Sequence, residues 1–308
     1  MSIIEIAAMP ARWAIASCAS CLVLCFQLFA SGCGNGGDDD FDPDLFAVDY
    51  AADAFVTVGE DYSIANSAEG DEFFLQSVDC CGSLQAVTYG NGIWLTAGSD
   101  GVVFTSTDTA NWFVQFLDTG RTIRGAAYGA GTYVLVGDDG RAFSSTNAGA
   151  WATEDSGTSE NLFDVVFADD LFVAVGAAGT ILTSDDGESW SVEDSGTTEN
   201  LNGIGAGGGL FVAIGTESTI LTSPDGSAWT ARASPIVQHL QDVAYANGLF
   251  VIVGENGVIL TSPDGIDWIE RDSGSPRNLE SVTFGEDLFV VVGRDATILN
   301  SDDGIDWF

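Results

Sequence analysis

The segment "TILTSDDGESW", residues 180–190, returns as "TILTSPDGSAW" at 219–229 and as "VILTSPDGIDW" at 258–268, which is 39 residues further each time. The same interval separates seven serines, seven glycines and six tryptophans. These are Ser67, Ser106, Ser145, Ser184, Ser223, Ser262 and Ser301; Gly59, Gly98, Gly137, Gly176, Gly215, Gly254 and Gly293; and Trp112, Trp151, Trp190, Trp229, Trp268 and Trp307. Seven units without an insertion or deletion indicate a repeat protein.

One unit divides into four short extended pieces. They read "LFDVVF" (162–167), "LFVAVG" (171–176), "TILTS" (180–184) and "WSVEDS" (190–195). The first is apolar at most positions, as is typical of a strand buried on both faces, and the last is a polar, acidic edge strand. Short connections such as "GNG" (90–92) favour tight hairpins between the first two strands.

A sheet of this size cannot bury both of its faces alone, so neighbouring copies must cover them. The repeat therefore predicts an all-β, seven-bladed β-propeller of four-stranded antiparallel blades over residues 45–308. A seventh unit counted from Leu45 would run nine residues beyond Phe308, so we expect a stunted outer strand in the last blade. Residues 36–44 have the right phase to fill that gap, but "GGDDDFDPD" is a poor strand and should pair weakly or not at all.

The chain is strongly acidic. It has 46 acidic residues, eight basic residues that are all Arg, and a formal net charge of −38. Such a charge argues against nucleic acid and anionic lipid headgroups as partners. The acidic excess is typical of a solvated surface, and calcium binding is the alternative.

The N-terminal residues have the pattern of an export signal. Arg12 precedes the apolar run 13–30, and the following "ASGC" (30–33) resembles the bacterial lipobox, although Ala30 stands where Leu is usual. The resemblance implies a signal peptide over 1–32, lipid attachment at Cys33, an acidic Gly-rich tether over 33–44 and a cell-envelope location, at the outer membrane or cell surface. A cleaved secretory signal or an 18-residue membrane anchor remains open.

The turn between the third and fourth pieces resembles the Asp-box, or bacterial neuraminidase repeat, with the pattern S-x-D-G-x-x-W. It reads "SDDGESW" (184–190), "SPDGSAW" (223–229), "SPDGIDW" (262–268) and "SDDGIDW" (301–307), with weaker copies at 67–73, 106–112 and 145–151. Proteins with this repeat include sialidases, sortilin-type receptors, xyloglucan hydrolases and photosystem II assembly factors, so it implies a propeller but no single activity. Its aspartates, Asp186, Asp225, Asp264 and Asp303, are predicted to be turn residues.

Few residues of the sequence fit a known catalytic arrangement. Sialidases need three Arg from separate blades, whereas five of the seven Arg after Cys33 fall on two blades. His239, the single His, is predicted to be a loop residue, while Asp164, Asp242 and Glu280 lie on innermost strands and could form a carboxylate pair near the axis. We therefore expect a non-catalytic, monomeric binding or assembly platform without cofactor or metal. The alternative is a glycan-active enzyme of sialidase-like architecture.

Strand direction places the loops before the first strand, and between the second and third strands, on one face of the propeller. This candidate binding face for a protein or polysaccharide collects two groups of arginines; local pairing with the many aspartates is the alternative role for them. The groups are Arg121, Arg124 and Arg141 on the third blade, and Arg277 and Arg294 on the seventh. Cys80 and Cys81 could close a vicinal disulfide in an exported protein, with two free thiols as the alternative.

Overall fold

The computed structural model describes residues 43–70, 73–76, 82–117 and 119–308. The predicted signal peptide, the lipid attachment at Cys33, most of the tether and the Cys80–Cys81 pair lie outside the described residues. The described part of the chain contains strands and 3₁₀ turns, and no α-helix. In that part there is accordingly no helix with the length and hydrophobicity needed to cross a membrane.

The strands form seven separate antiparallel sheets, one for each repeat. Blade 1 contains β1 (Leu45–Ala51), β2 (Ala54–Gly59), β3 (Ile64–Ser67) and β4 (Phe74–Gln76); blade 2 contains β5 (Leu84–Gly90), β6 (Ile93–Gly98), β7 (Val102–Ser106) and β8 (Phe113–Phe116). Blade 3 contains β9 (Ile123–Gly129), β10 (Thr132–Gly137), β11 (Ala142–Ser145) and β12 (Ala152–Glu154); blade 4 contains β13 (Leu162–Ala168), β14 (Leu171–Gly176), β15 (Ile181–Ser184) and β16 (Ser191–Glu193). Blade 5 contains β17 (Leu201–Gly207), β18 (Leu210–Gly215), β19 (Ile220–Ser223) and β20 (Thr230–Ala231); blade 6 contains β21 (Leu240–Ala246), β22 (Leu249–Gly254), β23 (Ile259–Ser262) and β24 (Ile269–Arg271); blade 7 contains β25 (Leu279–Gly285), β26 (Leu288–Gly293) and β27 (Ile298–Ser301).

The predicted seven-bladed propeller is confirmed, including the stunted outer strand of blade 7. Each blade pairs its strands in sequence order, and the first strands of consecutive blades pack side by side around the axis. In blade 7 the outer ladder is reduced to one residue, where Asn300 and Phe308 exchange two backbone hydrogen bonds of 3.0 and 3.1 Å. Residues 36–42 lie outside the described residues, so their predicted weak pairing stays a prediction.

The core lies between blades, because a sheet of this size must bury both faces. The cluster between blades 3 and 4 joins Val134 and Val136 to Leu162 and Phe172, all fully buried. Full burial of each such side chain contributes about 1.5 to 3 kcal/mol. The blades are therefore held by their shared faces.

The periodic glycine at the end of each second strand is required by close backbone approach. A Cβ on Gly176 would lie 2.1 Å from the carbonyl oxygen of Asn161, and the corresponding glycines meet the equivalent carbonyl at similarly short distances. The same carbonyl accepts the backbone N–H of Ala177 at 2.8 Å. Any side chain at this position would push the end of the second strand away from the start of the first.

The repeated S-x-D-G-x-x-W turn satisfies its own backbone. In blade 4 the Asp186 Oδ1 accepts the N–H groups of Glu188 and Ser189, both at 2.8 Å, and the Ser184 Oγ accepts that of Gly187 at 2.8 Å. Gly187 has a φ of +76°, which glycine adopts without strain. These hydrogen bonds to the charged form hold the pKa of Asp186 below its ordinary value. Asp186 is thus a turn residue, and the pKa values of Asp225, Asp264 and Asp303 are lowered for the same reason.

The ring closes between blade 7 and blade 1. Leu45, Val48 and Phe55 form one buried cluster with Val290 and Val292. The carbonyl of Pro43 accepts the N–H of Ala296 at 3.1 Å, and the side chain of Asn300 donates to the Gly70 carbonyl, also at 3.1 Å. The first and last blades therefore meet through the same kind of interface as the others.

Candidate binding site at the channel mouth

Each innermost strand carries a β-bulge at its second residue. In β13, Leu162 pairs with Gly176 and Asp164 with Val175, so Phe163 has no partner in the ladder. A bulge turns one side chain out of the regular alternation of a strand. The seven bulge residues, called the mouth ring below, are Phe46, Gln85, Arg124, Phe163, Asn202, Gln241 and Glu280.

All seven side chains of the mouth ring line one cavity of about 300 Å³ at the centre of the propeller. The position just before each bulge is Leu in six blades and Ile123 in blade 3, whereas the ring itself holds two Phe, three amides, one Arg and one Glu. Folding requires the same residue type at the buried position and leaves the bulge position free to vary. The arrangement can therefore present seven side chains of five different types to one ligand.

A second cavity of about 310 Å³ lies deeper along the axis and is lined by residues from all seven innermost strands. It contains three carboxylates: Asp49, Asp164 and Asp242. Burial in the channel raises the pKa of Asp164 to about 8, with the negative charge of Asp242 as the second cause. Burial also raises the pKa of Asp49 to about 6 and that of Asp242 above its ordinary value. Near neutral pH the channel holds fewer than three negative charges.

The channel carboxylates also link blades. The Asp164 Oδ2 accepts the N–H of Ile204, in the next blade, at 2.9 Å. The Asp242 Oδ2 accepts the Ser281 hydroxyl at 2.7 Å and the Val282 N–H at 2.9 Å. The Ser281 Oγ in turn accepts the N–H of Val48 at 3.2 Å, which carries the link across the ring closure. The oxygens that an acid or base would use are thus occupied by backbone donors.

The three predicted axial carboxylates all line the mouth cavity, and Asp164 and Asp242 also line the deeper one. Asp164 and Asp242 influence each other's ionisation in the channel. Glu280 belongs to the mouth ring and accepts a 2.8 Å hydrogen bond from Arg294. Sequence reasoning missed Asp49, whose only signal was a lone acid in the otherwise apolar inner strand "LFAVDYA".

The arginines of blade 3 are largely paired with neighbouring acids. Arg121 contacts Asp139 and Arg124 contacts Asp138, each at 2.6 Å. Arg124 also stacks over Phe163, with its guanidinium carbon 5.7 Å from the ring centre. Arg141 is exposed and makes no ion pair with any residue that the structure describes.

The arginines of blade 7 are also paired. Arg277 contacts Asp295, while Arg294 contacts Asp44 at 3.1 Å and Glu280 at 2.8 Å. Blades 3 and 7 are not neighbours, so the two groups of arginines do not merge into one patch. Of the five arginines, Arg124 alone lines the mouth cavity.

Around the mouth runs a set of contacts between blades, which we call the latch. At five of the seven innermost strands, the residue before the strand accepts a backbone N–H from the turn between the second and third strands of the preceding blade, at 2.9 to 3.0 Å. The acceptors are Asn161, Asn200, His239, Asn278 and, across the closure, Asp44. His239 accepts through Nδ1, so it is a loop residue with a structural contact. The sequence analysis did not predict these contacts, although the 39-residue spacing of Asn161, Asn200, His239 and Asn278 could have indicated them.

No arrangement of three or more His, Cys, Asp or Glu side chains suited to a metal ion occurs within the described ranges. The channel carboxylates do not form such a group. Their chemistry is that of hydrogen-bonded strand links in a narrow polar channel.

The fold and the channel define a seven-bladed β-propeller with an open, polar mouth. No model of a known protein family matches the chain, and no curated protein matches it. Two similar solved structures are "YCF48 bound to D1 peptide", with a TM-score of 0.69 and 18% identity over 84% of this chain and 93% of that one, and YCF48 from Cyanidioschyzon merolae, with a TM-score of 0.68 and 17% identity over 84% and 95%. At this identity the likeness establishes the fold.

Proposed function

We propose that the protein is an exported, lipid-anchored propeller that acts as a non-catalytic binding or assembly platform, and that its partner docks on the mouth ring. The observation that carries the proposal is the mouth ring itself. Seven bulges aim seven side chains of five different types into one cavity of about 300 Å³, while the position before them holds Leu or Ile throughout. Varied side chains that a regular scaffold brings to one cavity are suited to recognition.

The chemistry of the ring suits a polypeptide segment. Gln85, Asn202 and Gln241 offer both donors and acceptors to peptide groups, and Phe46 and Phe163 offer apolar contact. One of the two similar propellers is described as bound to a D1 peptide. A polysaccharide, whose hydroxyls also donate and accept hydrogen bonds, is the second partner class that this surface admits.

The two groups of arginines supply contacts to carboxylates of the partner at the edge of the channel mouth. A pull-down with the full chain as bait tests this, comparing wild type with a variant in which Arg121, Arg124, Arg141, Arg277 and Arg294 are replaced by Gln. Arg232→Gln/Arg271→Gln is the matched control, because these arginines bond to Thr222 and Thr261 on the outer side of their blades. Capture that is lost in the five-Gln variant alone supports a role of these arginines in binding, and equal capture by both variants refutes that role.

The ring itself is tested by Phe163→Ala/Gln241→Ala. Neither side chain is part of a ladder pair, so the fold should survive. Partners lost by this variant but kept by the five-Gln variant would support the mouth ring as the site and exclude the arginines from it.

Lipid anchoring rests on "ASGC" (30–33) and the polar tether. Metabolic labelling with a clickable fatty acid should mark the wild type in the membrane fraction. A Cys33→Ser protein that keeps both the label and the membrane location would contradict the anchor.

A glycan-active enzyme is the second candidate, because Asp164 has a pKa raised to about 8 beside Asp242 inside a cavity. A glycan hydrolysis screen with the purified protein addresses it. Turnover abolished by Asp164→Asn or Glu280→Gln would favour the enzyme over the platform.

A further inference from the structure

Exposed apolar side chains concentrate on one arc of the propeller. In the described residues, the large exposed apolar side chains other than Val192 and Val237 all lie on blades 6, 7, 1 and 2, which are consecutive around the ring. Most of them begin or belong to outer strands. The six side chains that begin or belong to outer strands are called the apolar rim below. They are Phe74, Leu75, Phe113, Phe116, Ile269 and Phe308.

The rim is most pronounced on blades 1 and 2. Phe74 is 68% exposed, Phe113 69% and Phe116 50%. Their outer strands, "FLQ" and "FVQF", carry no charge, whereas the outer strands of blades 3, 4 and 6 each contain Glu. At the position of Phe74 and Phe113, blades 3, 4 and 5 hold Ala152, Ser191 and Thr230. On a chain of charge −38, two adjacent uncharged outer strands with exposed aromatic side chains indicate a contact surface.

The position of the N-terminal segment indicates what covers the rim. The chain enters the propeller at Pro43, whose carbonyl bonds to Ala296 at the seam of blades 7 and 1, in the middle of the arc. Nine residues, 34–42, separate Cys33 from Pro43. Nine fully extended residues span at most about 30 Å. A lipid on Cys33 would therefore hold the propeller close to the bilayer, near this arc.

We propose that the part of the apolar rim on the adjacent blades 1 and 2, formed by Phe74, Leu75, Phe113 and Phe116, rests on a neutral lipid surface and orients the propeller on the membrane. The inference rests on the proposed lipid anchor for proximity and on the rim for orientation. Contact through uncharged Phe and Leu side chains removes no charge from water, whereas contact through the acidic remainder would. The rim lies on the circumference, so the channel mouth stays open to solvent.

Amide hydrogen exchange of the full chain on phosphatidylcholine vesicles tests the proposal, with flotation as the separate readout of anchoring. Relative to the Cys33→Ser protein in lipid-free buffer, Phe74–Gln76 and Phe113–Phe116 should exchange about threefold or more slowly. The outer strands Ser191–Glu193 and Thr230–Ala231 should not change. Phe74→Ser/Phe113→Ser/Phe116→Ser should float but lose the protection, and Val192→Ser is the control for an exposed apolar residue outside the rim.

The outcomes separate the two proposals. Flotation of wild type without slower exchange at the rim overturns the rim and leaves the anchor standing. If neither the wild-type nor the Cys33→Ser protein floats with the vesicles, both the lipid anchor and the lipid contact of the rim are overturned. If the Cys33→Ser protein floats and the triple Ser variant does not, lipid contact by the apolar rim is supported and lipid attachment at Cys33 is overturned. Protection that grows with protein density on the vesicles, together with cross-links between propellers, overturns lipid contact in favour of a second copy of the chain.

Discussion

His239 occupies a latch position that Asn fills in three neighbouring blades. Its Nδ1 accepts the Glu217 N–H at 3.0 Å, the same contact that the Asn200 and Asn278 side chains make in their own blades. We expect His239→Asn to keep the stability of the wild type, because the amide oxygen can replace the imidazole nitrogen. His239→Ala removes the acceptor and should lower the free energy of unfolding by about 1 kcal/mol. Urea denaturation measures both, and a His239→Asn protein no more stable than His239→Ala would contradict the latch.

Replacement of glycine by alanine should be costly at the end of a second strand and harmless in an open turn. Gly176→Ala puts a Cβ 2.1 Å from the Asn161 carbonyl oxygen, so the backbone must move. We expect a loss of at least about 2 kcal/mol, as for overpacking at other sites. Gly149→Ala is the matched control, because its Cβ would meet nothing closer than 3.6 Å. Thermal melting of the two variants decides the point, and equal melting temperatures would show that the strand end can adjust.

Tryptophans at the same repeat position differ in their polar contact. The Trp229 Nε1–H donates to the Gly226 carbonyl at 2.8 Å, whereas the buried Nε1 of Trp190 has no hydrogen-bond partner among the described residues. Trp190→Phe should therefore be close to neutral, as Phe73 at the equivalent place in blade 1 suggests, while Trp229→Phe loses about 1 kcal/mol.

Trp190→Ala should cost about 3 kcal/mol, because the ring packs against the cluster between blades 3 and 4 and against Phe172. Chemical denaturation of the three variants measures the series. A Trp190→Ala protein that unfolds at the same urea concentration as wild type would mean that the indole contributes nothing to the interface between blades.

The blades could be predicted from sequence, whereas the mouth ring could not. The repeat length, the number of strands and the turn motif are properties of a single repeat, so they can be recognised in the sequence. The bulge depends on the register between β13 and β14, and no residue type marks Phe163 as its extra residue. Asp49 joins Asp164 and Asp242 only because ring closure brings distant blades to a common axis. The arginines were placed on the correct blades, but their pairing with Asp138 and Asp139 depends on side-chain geometry that the repeat pattern does not specify.

The whole molecule has two sets of aspartates with opposite effects on stability. Those of the repeated turns have lowered pKa values, about 2 for Asp108 and Asp225, so their stabilisation is present above the unfolded value near 3.8 and is lost as the pH falls. Those of the channel have raised values, about 6 for Asp49 and about 8 for Asp164. Their contribution is complete below the unfolded value and is lost as the pH rises through the folded one. The two effects together place maximal stability near pH 4.

The melting temperature should accordingly fall from pH 5 to pH 8 at constant ionic strength. Asp164→Asn should flatten this slope, because the amide does not ionise. It should also lower stability at every pH, since one amide oxygen cannot accept both the Val165 and the Ile204 N–H groups. Asp169→Asn, in the exposed hairpin between β13 and β14, should keep the wild-type slope. Scanning calorimetry in sodium chloride at several pH values measures all three proteins. A wild-type stability that is constant or rises between pH 5 and pH 8 would show that the channel carboxylates ionise without cost.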